Sequence, residues 1–104
     1  MYIVIETTTD NKRVAKNIVD EILKHNLSPC IHTSDSIISN YVWKNKAINS
    51  KEILIRIKTN SKLMKDITKI IQKLHNYDNP ELISYKIDIN SDKYNKWFDE
   101  SIKK

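Results

Sequence analysis

The sequence predicts an α+β sandwich in the order βαββαβ, followed by one further helix at the C-terminus. Three observations carry this. Short apolar, β-branched runs of two-residue period alternate with segments of helical period. One polar turn joins the two central strands directly. Every other link between strands runs through an amphipathic helix, the route of a right-handed crossover.

Each element has its own signal. Tyr2 to Thr7 is a short β-branched run, hence a buried strand. Asp10 is the expected cap of the first helix. Val14, Ala15, Ile18, Val19, Ile22 and Leu23 then recur at helical spacing, with Lys16, Asp20, Glu21 and Lys24 opposite. Asn26 can end that helix in the left-handed conformation, and Pro29 stops its resumption. Cys30 to Trp43 is extended. Lys44-Asn45-Lys46 is a turn, with Asn45 as its positive-φ residue. Glu52 to Thr59 alternates strictly, with Ile53, Ile55 and Ile57 on one face. Asn60 or Ser61 caps a second helix whose apolar face is Leu63, Met64, Ile67, Ile70, Ile71 and Leu74. Pro80 breaks the chain, and Leu82 to Ile89 alternates again. Ser91 starts a last helix carrying Tyr94, Trp97, Phe98 and Ile102 on one side. Two crossover units joined by a central hairpin make a four-stranded antiparallel sheet with both main helices on one face, the ferredoxin-like sandwich. That fold hosts many unrelated functions.

Composition narrows the function classes. The 104 residues make a single domain, 1–104. No apolar run approaches the ~20 residues of a membrane span, so no membrane partner is expected. Met1 to Glu6 reads as a strand, not a signal peptide. The single Cys30 has no intrachain disulfide partner, and the expected compartment is the cytoplasm. Net charge is +5, but the lysines are scattered and no aromatic platform faces them, so nucleic acid is not an expected partner. Glycine is absent, which excludes phosphate loops and dinucleotide fingerprints built on it. No serine, histidine and carboxylate stand out as a matched set, and no enzyme activity is expected.

The segment Cys30 to Trp43 is far longer than the usual ~5–6 residues of a strand. Two helices cover only part of it. The overhang carries Ile37, Ile38, Tyr41 and Trp43, which makes it the expected oligomer interface. A hairpin folded back on its own sheet is the alternative.

Several segments are similar to the CutA family. Leu27-Ser28-Pro29-Cys30-Ile31 resembles its stretch around a central cysteine. Tyr41-Val42-Trp43-Lys44-Asn45-Lys46 resembles its Tyr-x-Trp-x-Gly-Lys turn, with Asn45 for glycine. Glu52 and Lys58-Thr59 fall at the family spacing. Leu74-His75-Asn76-Tyr77-Asp78-Asn79-Pro80-Glu81 and Tyr94-x-x-Trp97 match its later segments. The resemblance implies a homotrimer whose long hairpins pair across subunits. It also implies a non-enzymatic role in tolerance of copper and other divalent cations, with no cofactor required and copper or another divalent cation as the possible ligand. The trimer of this family looks like that of PII signalling proteins. The alternative function is therefore a small-ligand sensor with its site between subunits.

The chain also departs from the family. Asp35-Ser36 stands where many relatives have Pro-Gly. Glu6 stands where some have a copper-ligand cysteine, and Leu74-His75 where some have paired histidines. The copper ligand set of those relatives is not reproduced. The metal candidates that remain are Cys30, His32, His75, Glu81 and Glu6. Cys30 and His32 are two apart on a strand and share a face, and thiolate with imidazole suits copper or zinc. Read structurally instead, Cys30 is a small hydrophobe, His75 caps a helix and Tyr77 anchors a loop. Lys58, Tyr77 and Trp43 are the candidates for a small ligand, with Trp43 and Trp97 otherwise packing residues.

Overall fold

A computed structural model describes residues 1–102. The order is β1 (Tyr2–Thr9), α1 (Lys12–Lys24), β2 (Cys30–Trp43), β3 (Lys46–Asn60), a 3-10 turn (Ser61–Leu63), α2 (Met64–Leu74), β4 (Ile83–Lys86) and α3 (Asp92–Glu100). The sheet order is β2-β3-β1-β4, with every pairing antiparallel. This is the predicted α+β sandwich.

One face of the sheet holds the core. Ile3 and Ile5 of β1 and Ile53, Ile55 and Ile57 of β3 meet Ala15, Ile18 and Ile22 of α1 and Ile67 and Ile71 of α2. The helical spacing is what turns these isoleucines inward. Val4 and Phe98 are also buried, but outside this cluster. They belong to the opposite face, where α3 packs. Phe98 meets the Tyr2 ring edge to face at 5.3 Å. Trp97, expected on the same side as Phe98, is 44% exposed.

Three local expectations change. Asn11, not Asp10, caps α1, its side chain accepting from the Val14 N–H at 3.0 Å. Asp10 is drawn away by the Asn76 amide, which donates to it at 2.8 Å. β4 is shorter than Leu82 to Ile89 because its ladder with β1 runs out: Lys86 faces Ile3, and only the Ile87 N–H still reaches the Tyr2 carbonyl. β3 is longer than Glu52 to Thr59, starting at Lys46.

Turns without glycine are solved by polar residues. Asn26 (φ 55°) ends α1, with the Leu27 N–H on the Ile22 carbonyl and the Asn26 N–H on that of Leu23. This is the Schellman arrangement. The hairpin turn needs two left-handed residues, Lys44 (φ 51°) and Asn45 (φ 65°). Ser36 (φ 65°) sits in a β-bulge between Ser34 and Ile37. The bulge inserts one residue and reverses which side chains of β2 face which way.

β1 pairs with β3 only from Ile53 to Asn60. The pairs from Ile37↔Glu52 to Trp43↔Lys46 therefore project past the four-stranded sheet, by roughly 20 Å at strand rise. The domain measures 46 × 25 × 22 Å as a result.

Candidate functional site

The register of the strands gathers the polar candidates on the face of the sheet away from α1 and α2. Val4, Lys58 and Cys30 form one row across β1, β3 and β2. Glu6, Arg56 and His32 form the next. Tyr85 faces Val4 and Ile83 faces Glu6 from β4. The β-period alone produces this, since paired residues of antiparallel strands point the same way.

Glu6 is held by two donors. Arg56 Nε lies 2.9 Å from Glu6 Oε2, and the Tyr85 hydroxyl donates to the same oxygen at 2.6 Å. The Tyr85 hydroxyl is the main reason the Glu6 carboxyl is held below its usual range. Burial opposes the shift and Arg56 adds to it. Reciprocally, Glu6 raises both Tyr85 and Arg56.

Cys30 and His32 do come together, with Sγ 3.7 Å from Nε2. Glu6 lies two strands away in the His32 row, about 10 Å off at ordinary strand spacing, with Arg56 between them. Glu81 belongs with Glu6 instead. Partial desolvation, then the charges of Glu6 and Glu52, push its carboxyl above the usual range. His75 stands elsewhere, its Nε2 2.8 Å from the Thr8 carbonyl and its Nδ1 accepting from the Tyr77 N–H at 3.0 Å. That pattern fixes a neutral tautomer with both nitrogens engaged. Among the described residues, no three His, Cys, Asp or Glu side chains converge to hold a metal ion. The donor set of one chain does not close a site.

The small-ligand candidates are also spread out. Lys58 Nζ lies 5.7 Å over the ring of Tyr94. Tyr77 donates to Glu52 Oε2 at 2.6 Å, and Glu52 is buried. Desolvation first, then that hydrogen bond, raises the Tyr77 hydroxyl far above its ordinary range. Trp43 is at the hairpin tip and 52% exposed. It pairs with Lys46, which along β3 puts it about 40 Å from Lys58.

The expected interface residues divide by the pleat. After the bulge, Ile37, Tyr41 and Trp43 alternate with Ile38. Tyr41 and Trp43 therefore share a face with Ile48, while Ile38 shares the other with Val42. Ile38 (56%), Val42 (73%), Trp43 and Tyr41 (43%) are all exposed in the single chain.

Sequence reasoning did not single out Arg56, Glu52, Tyr85 or Tyr94 as site residues. Arg56 and Glu52 carried a signal, since both share the alternation of Lys58 on β3. Tyr85 and Tyr94 reach this face only through the path of the chain after α2. There they wall a groove of about 560 Å³ with Val4, Lys58 and Phe98.

The profile of the CutA1 divalent ion tolerance protein matches residues 3–101. The chain is 33% identical over 99 residues to the chloroplastic protein CutA of Arabidopsis thaliana, covering 95% of this chain and 54% of that protein. It thus spans about half the length of that relative. The crystal structure of CutA1 from Oryza sativa superposes with a TM-score of 0.92 at 31% identity, covering 98% of this chain and 94% of the other. The periplasmic divalent cation tolerance protein CutA of Archaeoglobus fulgidus shares the fold, with a TM-score of 0.92 at 22% identity over 99% of this chain and 100% of the other. These relatives overturn the cytoplasmic expectation, since one is chloroplastic and one periplasmic. A lone cysteine and a strand-like start do not specify a compartment. No helix among the described residues is long and apolar enough to cross a membrane. Matched along nearly its whole length, the chain belongs to the CutA1 divalent ion tolerance family.

Proposed function

We propose that the chain works as a non-enzymatic homotrimer in divalent-cation tolerance, binding its metal with side chains from more than one copy. The observation that supports assembly is the projecting hairpin. It exposes Tyr41 and Trp43 on one face and Ile38 and Val42 on the other. Bare strands with apolar groups on both faces invite pairing with another chain. A second copy supplies a cover of matching chemistry, and repeated contact closes most simply into a symmetric ring.

The metal part of the reading starts from Cys30 and His32. They offer sulfur and nitrogen from one face. A closed structural site for zinc needs about four ligands, so the remainder must come from a neighbouring copy. Mixed sulfur and nitrogen donors favour copper over zinc at the same site. The test is a titration combined with sedimentation equilibrium. Particles of about three chains, stoichiometric Cu(II), weaker Zn(II), and loss of both with Cys30→Ser are expected. A monomer at micromolar concentration removes the trimer. Binding no tighter than ~100 μM, about −5.5 kcal/mol, removes the metal.

A second reading, a small-ligand sensor with its site between subunits, is favoured by one observation. The groove beside Lys58, one of the small-ligand candidates, is large enough for a metabolite.

A further inference from the structure

The lysines are scattered along the sequence, but the fold gathers them on one side. α1, the 3-10 turn and α2 together hold eight lysines and arginines against three carboxylates. That excess equals the net charge of the whole chain, +5, so the rest of the chain is electrically balanced. Both helices pack on the same face of the sheet. The positive charge of the protein is therefore a property of its helical side.

α2 carries the ordered part of this charge. Lys62, Lys65, Lys69 and Lys73 are all exposed. None of them has an ion-pair partner among the described residues. Lys65, Lys69 and Lys73 recur every four residues and form one ridge, with about 6 Å between successive positions. On α1 both carboxylates are taken up locally, Asp20 by Lys16 and Glu21 by His25. Folding does not explain the ridge. Like charges four residues apart oppose a helix. Lys62 and Lys65 also stand at the N-terminal end of α2, where the helix dipole favours carboxylates. Self-association does not explain it either. Identical copies present the same sign here, and a buried lysine needs a partner. The exposed apolar residues suited to contact between copies lie on the projecting hairpin instead.

A line of free cations is complementary to a line of anions. Thr68 and Gln72 run beside the lysines, and α2 carries no aromatic ring. Unpaired bases thus have nothing to stack on, and a lipid surface has no aromatic anchor. Lysine is a point charge, without the planar fork that arginine uses to read a base edge. We propose that this ridge docks on the phosphate backbone of duplex nucleic acid without reading its sequence. Lys65 to Lys73 span about 12 Å, three to four phosphate steps of one strand at about 3.4 Å each. Lys62 extends the line by one contact. The inference is independent of the metal and small-ligand readings.

The test is fluorescence anisotropy of the intact protein with labelled duplexes of unrelated sequence, from about 50 to about 200 mM salt. The duplexes should bind alike. Four phosphate contacts predict that log K falls against log salt with a slope of about −3 to −4 for each engaged copy. Lys65→Gln with Lys69→Gln should weaken binding roughly tenfold or more at the lower salt and make the slope shallower by about 2. Lys93→Gln with Lys96→Gln removes the same charge from α3, on the other face of the sheet, and should change binding far less. No saturable binding at the lower salt, or equal losses in the two double variants, overturns the proposal. So does tighter binding to phosphatidylserine vesicles than to the duplexes. Sedimentation of each variant closes the test: if loss of Lys65 and Lys69 changes the particle size, the ridge is a contact between copies and the proposal falls.

Discussion

Glu6 and Arg56 face each other across β1 and β3, with Arg56 Nε 2.9 Å from Glu6 Oε2. The Tyr85 hydroxyl closes on the same oxygen. Three strands are thereby tied through one carboxylate on the face that carries the candidate site.

That tie gives a pH dependence of known sign. The Glu6 carboxyl is held below its ordinary range, chiefly by the Tyr85 hydroxyl. Its stabilisation is therefore present above the unfolded-state carboxyl range, ~4.3, and disappears as pH falls through the lower folded value. Glu6→Gln should unfold at lower urea than wild type at pH 7, with the gap narrowing below about pH 4. A gap that stays constant down to pH 2 would assign the loss to packing, not to charge.

Glu81 should behave in the opposite sense. Desolvation and the charges of Glu6 and Glu52 raise its carboxyl. The folded state thus holds that proton more tightly, and ionised Glu81 works against folding at neutral pH. Glu81→Gln is expected to raise the melting temperature at pH 7 and to change nothing below the unfolded carboxyl range. Equal melting at both pH values would dissociate Glu81 from the other two carboxylates.

His75 joins the end of α2 to β1 through the Thr8 carbonyl and holds the Tyr77 N–H. His75→Ala breaks both bonds in a half-buried place and should cost about 1–3 kcal/mol, read from urea unfolding. Copper affinity measured on the same variant separates the roles. A large loss of affinity with unchanged stability would make His75 a ligand instead of an anchor.

The hairpin turn stores strain. Lys44 and Asn45 both occupy left-handed conformations, for which Asn-Gly is the preferred pair. Lys44→Asn with Asn45→Gly should stabilise the protein by about 1 kcal/mol, seen as a higher unfolding midpoint. No gain would mean that assembly, not the turn, sets the hairpin geometry.

Trp43→Ala reports on the tip itself. Trp43 is half-exposed in one chain, so its loss should hardly change the folding of a monomer. If it anchors a trimer, melting becomes strongly concentration-dependent and the destabilisation approaches ~3–5 kcal/mol. Unchanged assembly in sedimentation equilibrium would remove Trp43 from the interface.

The fold was legible in the sequence because it rests on period. Ile53, Ile55 and Ile57 alternate, and Ile18, Ile22, Ile67 and Ile71 recur at helical spacing, so burial follows from local geometry. Asn26 and Asn45 were legible for a related reason. Without glycine, asparagine is the residue that tolerates the left-handed region best. Lys44 and Ser36, also left-handed, gave no such signal by residue type, although Ser36 stands where many relatives have glycine; their conformations are imposed by the two-residue turn and by a bulge in the pairing register. The exchange of Asp10 for Asn11 as helix cap was set by Asn76, distant in sequence.

By itself, then, the sequence determined the α+β order, the inward isoleucines, the overlong β2 and the family. Tertiary structure alone decided which polar residues meet. Glu6 finds Arg56 and Tyr85 from three strands, and Lys58 finds Tyr94 from a helix that crosses to the far face. It also separated residues that share motifs, leaving Trp43 at the tip, Tyr77 on Glu52 and His75 on Thr8. Local period fixes the face a side chain points to. Strand register and chain path fix its neighbours, and those depend on contacts between residues far apart in the chain.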